Sequence, residues 1–497
     1  MTVAVSNDLM RRSDFAEIES GTASAELMRR AGCAIFEQYP WQDGTVIVCG
    51  VGNNGGDGYV LALELWKRGI SCCLVLLEKA FSKDGRFYFD QCSEQGIPWE
   101  IYSSKTDFSN ATAIADCIYG TGLHGSVEGR GAELIRAINQ SQKPVVSVDI
   151  NSGLGGDSGQ GDPCVHSVLT VAIGAYKYGH FLGKAKDVMK KKICVDIGIP
   201  ILNEPVGVVA DRDTFQDFFG DRRQNSHKGT YGYVGIFGGC AEYSGAAKLA
   251  NLSCAALRSG CGVATLAVPR GIADGVMPYL LESTLFPMPD DGAGHTVFDS
   301  CALDAFLRGK RAVAIGMGWG ASQENQRILE YVLEHYDGAL VIDADGLNAL
   351  SKLDRSILQS TGAKVILTPH LKEFERISGF SMAEIVQDPV QYAMEYAKEN
   401  GVCLLLKGAC TVITDGEICY LVDRGCAGMA TAGSGDVLSG ILAGLLGYSP
   451  ANALTVACGA YLAGLAGELA EAESNPISMT ASDTVRYISK AISTVMR

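Results

Sequence analysis

Gly50-Val51-Gly52-Asn53-Asn54-Gly55-Gly56-Asp57-Gly58 decides the fold of the first half of this 497-residue chain. It follows Thr45-Val46-Ile47-Val48-Cys49, an apolar run that reads as a buried strand. It precedes Tyr59-Val60-Leu61-Ala62-Leu63-Glu64-Leu65, which is apolar at helical spacing. Strand, glycine turn and helix in that order aim main-chain N–H groups and a helix N-terminus at a phosphate. Five glycines let the backbone approach a ligand that a Cβ would exclude, whereas a plain turn needs one or two. Asn53, Asn54 and Asp57 add side-chain oxygens that a simple dinucleotide fingerprint lacks.

Outward from this run, short apolar segments at 73–77, 115–118, 145–149, 169–173 and 193–195 alternate with helical patterns. That alternation predicts a parallel sheet covered on both faces. Two amphipathic helices are expected upstream, from 8–12 through 26–32. The stretch 203–226 holds Pro205 and a cluster of charges but few apolar runs, and is read as the boundary. A second alternation follows, with strands expected at 234–237, 263–268, 312–315, 340–342, 365–367, 403–406 and 411–414. The expected division is 1–212 and 213–497, each an α/β domain of three αβα layers.

Composition narrows the possible functions. A net charge of −15 argues against a general nucleic-acid binder, which would present a basic face. None of the 17 cysteines stand as Cys-x-x-Cys, so neither a zinc site nor a thioredoxin-like centre is expected. Many cysteines sit in apolar runs, as suits a reducing cytoplasm. The N-terminus lacks the pattern of a signal peptide. The apolar stretch 437–469 is broken by Gly447, Ser449 and Pro450, and is read as two buried helices rather than a membrane span.

Three strand ends of the first half carry oxygen donors: Asn54 and Asp57; Asp116; and Asp149 with Ser152. Ligands of open parallel sheets bind beyond the carboxyl ends of the strands, so these residues can converge. Asp, Asn and Ser oxygens without a thiolate or imidazole suit a hard cation such as K⁺ or Mg²⁺. Taken singly, Asp116 and Asp149 are ordinary loop caps; three strand ends in register favour a shared ligand.

The glycine run, Asp116…Tyr119-Gly120-Thr121-Gly122, Val148-Asp149-Ile150-Asn151-Ser152-Gly153 and Gly174-Ala175-Tyr176-Lys177 together resemble the Rossmann-like YjeF N-terminal domain of the NAD(P)H-hydrate epimerases. The resemblance implies that Asn53, Asn54, Gly55, Gly56 and Asp57 hold the hydrated nicotinamide nucleotide. The loop Gly120, Thr121, Gly122, Leu123, His124, Gly125 and Ser126 would join them, with Asp149 as both contact and catalytic acid/base. It also implies K⁺ on Asn54, Asp116 and Ser152. Asn151 stands where the family usually has Pro, and Tyr119 where Phe or Leu is usual.

In the second half the decisive run is Thr431-Ala432-Gly433-Ser434-Gly435-Asp436, opening an apolar helix. Its N–H groups form an anion hole for a transferring phosphoryl group. Asp436 stands in the first turn, placed to take a proton from an attacking hydroxyl. An Asp in that turn is also simply favourable to the helix dipole. Upstream come Gly238-Gly239, Ser244-Gly245-Ala246-Ala247, Gly316-Met317-Gly318-Trp319-Gly320, Asp343-Ala344-Asp345, Thr368-Pro369-His370 and Lys407-Gly408-Ala409-Cys410-Thr411.

As an ordered set these motifs resemble the ribokinase-like ADP- or ATP-dependent NAD(P)H-hydrate dehydratases. The resemblance implies adenine-nucleotide contacts from Lys407, Gly408, Ala409, Cys410, Thr411 and Gly435. Ala246, Gly318, His370 and Asp436 would contact the hydrated cofactor, with Asp436 as the base. Cys426 replaces a common Asn. The implied enzyme interconverts the R and S forms of hydrated NADH and NADPH, then dehydrates the S form with ADP and Mg²⁺, giving AMP and phosphate. It would be a cytoplasmic homo-oligomer with no nucleic-acid or membrane partner. The competing expectation is a ribokinase-like kinase of a small metabolite with a non-catalytic N-terminal binding module.

Overall fold

The computed structural model describes residues 2–123, 125–254 and 258–496, and the chain falls into two compact units. The first is built from Val3–Gly207, the second chiefly from Val208–Ile385 and Pro389–Arg497.

In the first unit the strand Thr45–Cys49 alternates its side chains between two cores, Ile47 and Cys49 on one face, Val46 and Val48 on the other. This is the period-two signature of a strand buried on both sides. The sheet runs Trp99–Ile101, Cys72–Leu76, Thr45–Cys49, Ile114–Cys117, Val145–Val148, Leu169–Ile173, Lys192–Val195, parallel throughout. Thr45–Cys49 comes first in the chain yet lies inside the sheet. The strand order therefore reverses between it and Ile114–Cys117, and a crevice opens at their carboxyl ends. A short parallel pair, Thr2–Val5 with Tyr176–Lys177, lies outside this sheet. The two expected N-terminal helices are Asn7–Glu19 and Ser24–Glu37.

One expectation about the glycine run is corrected. The helix starts at Asn53, not near Tyr59, so Asn53 through Asp57 form its first turns. Most of the glycines face protein rather than ligand. A Cβ on Gly50 would lie 1.9 Å from the Ile118 carbonyl oxygen, and one on Gly55 2.2 Å from that of Gly50. Gly56 would meet Met28 Cε at 2.4 Å and Gly58 the Cys49 sulfur at 2.9 Å, while Gly52 alone of the five has nothing within 4 Å. Close packing of helix on sheet overrides the poor helix propensity of glycine here.

The second unit's sheet runs Thr284–Met288, Val263–Pro269, Tyr233–Phe237, Ala312–Ile315, Ala339–Ile342, Lys364–Leu367, Cys403–Leu406 in parallel. The antiparallel strands Thr411–Thr414 and Cys419–Val422 continue it. Its order reverses between Tyr233–Phe237 and Ala312–Ile315. The helices Ser244–Cys254, Ser434–Leu446, Ala453–Glu473 and Ala481–Val495 all contribute to the core on one face. Ala453–Glu473 is long and apolar enough to cross a membrane, but 83% of its apolar window is buried inside this unit, as a core helix would be.

Close helix contact sets one stability prediction. A Cβ on Gly440 would lie 2.0 Å from the Ala250 carbonyl oxygen and 2.1 Å from Ser253 Oγ. Gly440→Ala is expected to cost about 1–3 kcal/mol through overpacking. Urea unfolding of the full chain checks it, and an unchanged midpoint refutes it.

Candidate functional site

The first site lies at the switch point of the first sheet. A cavity of about 580 Å³ opens there, within the range of small-ligand sites. Gly52, Asn53, Asn54, Asp57, Gly120, Thr121, Gly122, Leu123 and Asp149 line it. Gly55 and Gly56 are buried within the helix, packed on Gly50 and Met28, and Gly125 and Ser126 are exposed outside the lining. His124 lies outside the described residues.

Asp149 follows the strand Val145–Val148 with φ at +62°, a backbone state non-glycine residues seldom adopt. Its Oδ1 accepts from Lys177 Nζ at 2.6 Å and its Oδ2 from the Thr121 N–H at 3.1 Å. Lys177 is 2% exposed and also donates to the Ile173 carbonyl at 2.9 Å. Burial pushes the Asp149 carboxyl up, but Lys177, His180 and the Thr121 N–H together outweigh it and leave the group below its ordinary value. His180 Nδ1 accepts the Lys177 N–H at 3.0 Å, so its Nε2 donates to the Asp149 carbonyl at 2.7 Å. Burial holds this imidazole down at about 4, hence neutral.

Two further carboxyls share the cavity. Burial, then Asp149 and Asp14, push Asp57 well above the usual carboxylate range. Asp14 is pushed up to about 6, mainly by burial. The site thus sets a carboxyl held low beside two pushed up, a spread that suits acid–base work.

Asp116 and Ser152 are joined to each other at the ends of neighbouring strands, and Asn54 stands in the cavity lining. Ser152 Oγ and N–H and Ser147 Oγ all donate to the buried Asp116 carboxylate. Asn54 touches the position a Gly120 Cβ would take, at 3.4 Å. It is 8% exposed, and both its amide atoms are buried without a protein partner. Buried amides are nearly always paired, so this one points to a ligand. Asn151, the departure from Pro, is a structural pin: its Nδ2 donates to the carbonyls of Val165 and Val188, and its Oδ1 accepts from Thr170 at 2.6 Å.

The second site lies along the carboxyl edge of the second sheet. Gly433, with φ at +95°, caps the helix Ser434–Leu446, whose first-turn N–H groups lack intrahelical partners. A Cβ on Gly435 would sit 3.6 Å from both Asp343 Oδ2 and Lys407 Nζ. Lys407 Nζ donates to Asp343 Oδ1 at 2.9 Å, and Ser439 Oγ to Asp343 Oδ2 at 2.7 Å. Glu373 lies 3.8 Å from Lys407. Burial lowers the Lys407 ammonium, but Asp343 and Glu373 more than restore it. Asp436 is raised to about 7, chiefly by burial and then by the Asp343 charge, against Lys407.

Gly435, Lys407 and Asp436 therefore belong to one cluster. Ala344, with φ at +50°, puts strain into the turn between Asp343 and Asp345. His370 caps the helix Leu371–Ser378: its Nδ1 accepts the Glu373 N–H at 3.2 Å, and half of the side chain is exposed. Ala246 meets Gly318, where a Cβ would come within 2.9 Å of the alanine methyl. Gly408 and Ala409 are exposed at the turn between Cys403–Leu406 and Thr411–Thr414, while Cys410 is buried. Cys426, near Glu471, has its thiol raised to about 11, by burial first.

Sequence reasoning assigned no role to Lys177, Asp14, Asp343, Glu373 or Ser439. Asp14 was detectable, since it lies four residues after the buried Met10 on the core-facing side of its helix.

Two carboxylate sites, each at the carboxyl edge of a parallel sheet, define a two-domain α/β enzyme built for acid–base chemistry on nucleotide-sized ligands. The comparisons with known proteins agree. Residues 24–179 match the family described as YjeF-related protein N-terminus, and residues 234–490 the family described as NAD(P)H-hydrate dehydratase. The bifunctional NAD(P)H-hydrate repair enzyme Nnr of Moorella thermoacetica is 34% identical over 89% of this chain and 86% of its own. That of Coxiella burnetii is 32% identical over 98% and 99%. Among solved structures, the ADP/ATP-dependent NAD(P)H-hydrate dehydratase of Bacillus subtilis, co-crystallised with ATP/Mg²⁺, matches at TM-score 0.51 and 29% identity, covering 59% of this chain and 99% of that one. The chain belongs to the family of bifunctional NAD(P)H-hydrate repair enzymes, which join an epimerase domain to a dehydratase domain. The small-metabolite kinase expectation is not favoured by these matches.

Proposed function

We propose that residues 1–212 interconvert the R and S epimers of hydrated NADH and NADPH, and that residues 213–497 dehydrate the S epimer with ADP as phosphoryl donor. The observation that carries the reading is Asp436, a carboxyl raised to about 7 beside Lys407 and the glycine-capped helix. A base with its pKa near the working pH is what proton removal from an alcohol needs.

Asp436 takes the proton of the hydroxyl at C6 of the hydrated ring as that oxygen bonds to the terminal phosphorus of ADP; the bond from phosphorus to the bridging oxygen breaks and AMP leaves. Main-chain N–H groups of 433–435 hold the transferring phosphoryl oxygens. Phosphate then departs from C6, driven by the ring-nitrogen lone pair, and loss of the C5 proton restores the double bond. Lys407, Gly408, Ala409, Cys410, Thr411 and Gly435 contact the nucleotide, the buried Cys410 through its main chain. Ala246, Gly318 and His370 hold the hydrate. The hard oxygens of Asp343 fit Mg²⁺, which when bound would neutralise phosphate charge and leave Asp436 as the base.

In the first domain Asp149 serves as the acid/base for inversion at C6, with Lys177 fixing its charge and position. The unpartnered Asn54 amide, with Asp116 and Ser152, fits K⁺. That ion would supply fixed positive charge beside the nucleotide loop. Potassium-dependent epimerisation follows from this. With ADP and a mixture of epimers, the purified chain is expected to recover all the reduced nicotinamide in K⁺, but to stall after the S fraction when Na⁺ replaces it. Asn54→Leu should stall in either salt while still dehydrating pure S epimer. Complete recovery by Asn54→Leu overturns the K⁺ assignment, and no recovery from S epimer with either nucleotide overturns the dehydratase reading.

A further inference from the structure

We propose that the second domain carries a zinc-type divalent metal site formed by Cys240, Glu242 and His295. Cys240 and Glu242 lie in the loop after the strand Tyr233–Phe237, and His295 in the turn closed by the bridge between Asp290 and Thr296. One sulfur, one oxygen and one nitrogen donor lie within 4.8 Å of one another. Cys240 Sγ is 3.2 Å from Glu242 Oε2, which is 3.0 Å from His295 Nε2. Bonds of 2.0–2.3 Å arranged tetrahedrally place donors about 3.3–3.8 Å apart, so little movement brings the three around one ion.

The far side of the imidazole makes the case independent of the donor cluster. Asp291 Oδ2 lies 3.1 Å from His295 Nδ1, and Asp291 Oδ1 is itself held by the N–H groups of Ala293 and His295 at 2.8 and 3.1 Å. A carboxylate on the other ring nitrogen is the arrangement that fixes a metal-binding histidine with its free nitrogen aimed at the ion. The two loops are already joined by the Ala241 N–H donating to the Gly294 carbonyl at 3.1 Å. Cys240 is 1% exposed, while the Glu242 and His295 side chains are 57% and 37% exposed. An ion can therefore enter from solvent and meet a sulfur anchored in the fold.

Sulfur, imidazole and carboxylate donors select zinc among the abundant divalent ions, and three protein ligands leave one position for water. Binding releases the thiol proton to solvent. The ion would clamp the loop that leads into the helix Ser244–Cys254. The absence of Cys-x-x-Cys led the sequence to suggest no zinc; these ligands come instead from i, i+2 and a distant turn.

Cobalt(II) titration of the full chain tests the site, with zinc as competitor. The expected result is one equivalent of Co²⁺ per chain, a thiolate-to-cobalt charge-transfer band, and displacement by zinc. Cys240→Ser and His295→Asn should abolish the band. The exposed Glu242→Gln, the substitution least able to disturb folding, should weaken binding. Asp291→Asn should weaken zinc binding about 10–100-fold. Circular dichroism of the metal-free variants confirms that each is folded. No charge-transfer band at saturating Co²⁺ overturns the proposal. So does a band that survives both Cys240→Ser and His295→Asn, because it places the ion on other cysteines.

Discussion

Asp436→Asn is expected to cut dehydration of the S epimer by roughly a thousandfold, within the 10²–10⁴ range of a lost general base. Nucleotide affinity should change little, because the groups proposed to hold the phosphates are main-chain N–H groups of 433–435 and Lys407. The pH profile is the sharper test. Burial, then the Asp343 and Asp345 charges, raise the carboxyl to about 7 against the pull of Lys407. A base works deprotonated, so kcat/KM of the parent chain should rise about tenfold per pH unit up to about 7 and then level. The variant's residual rate should lose that limb.

Stability should move the opposite way. A carboxyl whose folded pKa is raised binds a proton more tightly when folded, so the parent loses stability as pH climbs from about 4 to about 7. Asn has no charge to bury. Asp436→Asn should therefore melt higher than the parent at about pH 8, and the difference should shrink toward about pH 4. Reduced-nicotinamide absorbance reads the rate and a thermal melt reads the stability. Retained turnover together with a raised melting point would make Asp436 a strained bystander rather than the base.

The sequence revealed most where a signal is local. Six strands of each parallel run carry β-branched and apolar residues over four to seven positions, and lie within a residue or so of the expected ranges. Two edge strands escape such a reading: Trp99–Ile101 is exposed along its length and Thr284–Met288 contains Pro287, so neither shows two buried faces. The start of the helix Asn53–Lys67 was also missed, because glycine reads as a turn unless the packing that demands it is seen. The sites divide the same way. Asp149 and Asp436 stand inside recognisable runs, but their partners are 28 residues away at Lys177 and, for the Asp343–Lys407 pair, 64 residues apart. Side chains gathered from separate strand ends leave no pattern along the chain. The zinc-type cluster is hidden for the same reason.

Asp149→Asn is expected to separate the two activities. Use of the R epimer should fall about 10²–10⁴-fold, while dehydration of purified S epimer stays at the parent rate. Asn preserves the shape of the Asp149 side chain, and its oxygen can still accept from Lys177 Nζ or the Thr121 N–H. The readout therefore isolates the ionisable group. The opposite substitution, Lys177→Met, strands a buried carboxylate, and breaking a buried pair from one side costs about 3–5 kcal/mol, so it would report folding before chemistry. A pH profile again distinguishes the sites. Lys177, His180 and the Thr121 N–H hold Asp149 below its ordinary value despite burial, so it stays ionised on the acid side of the Asp436 titration. Epimerisation should then persist at acid pH where dehydration has already declined for want of ionised Asp436. If instead both activities fall together in Asp149→Asn, or share one acid limb, the two reactions do not occupy separate sites.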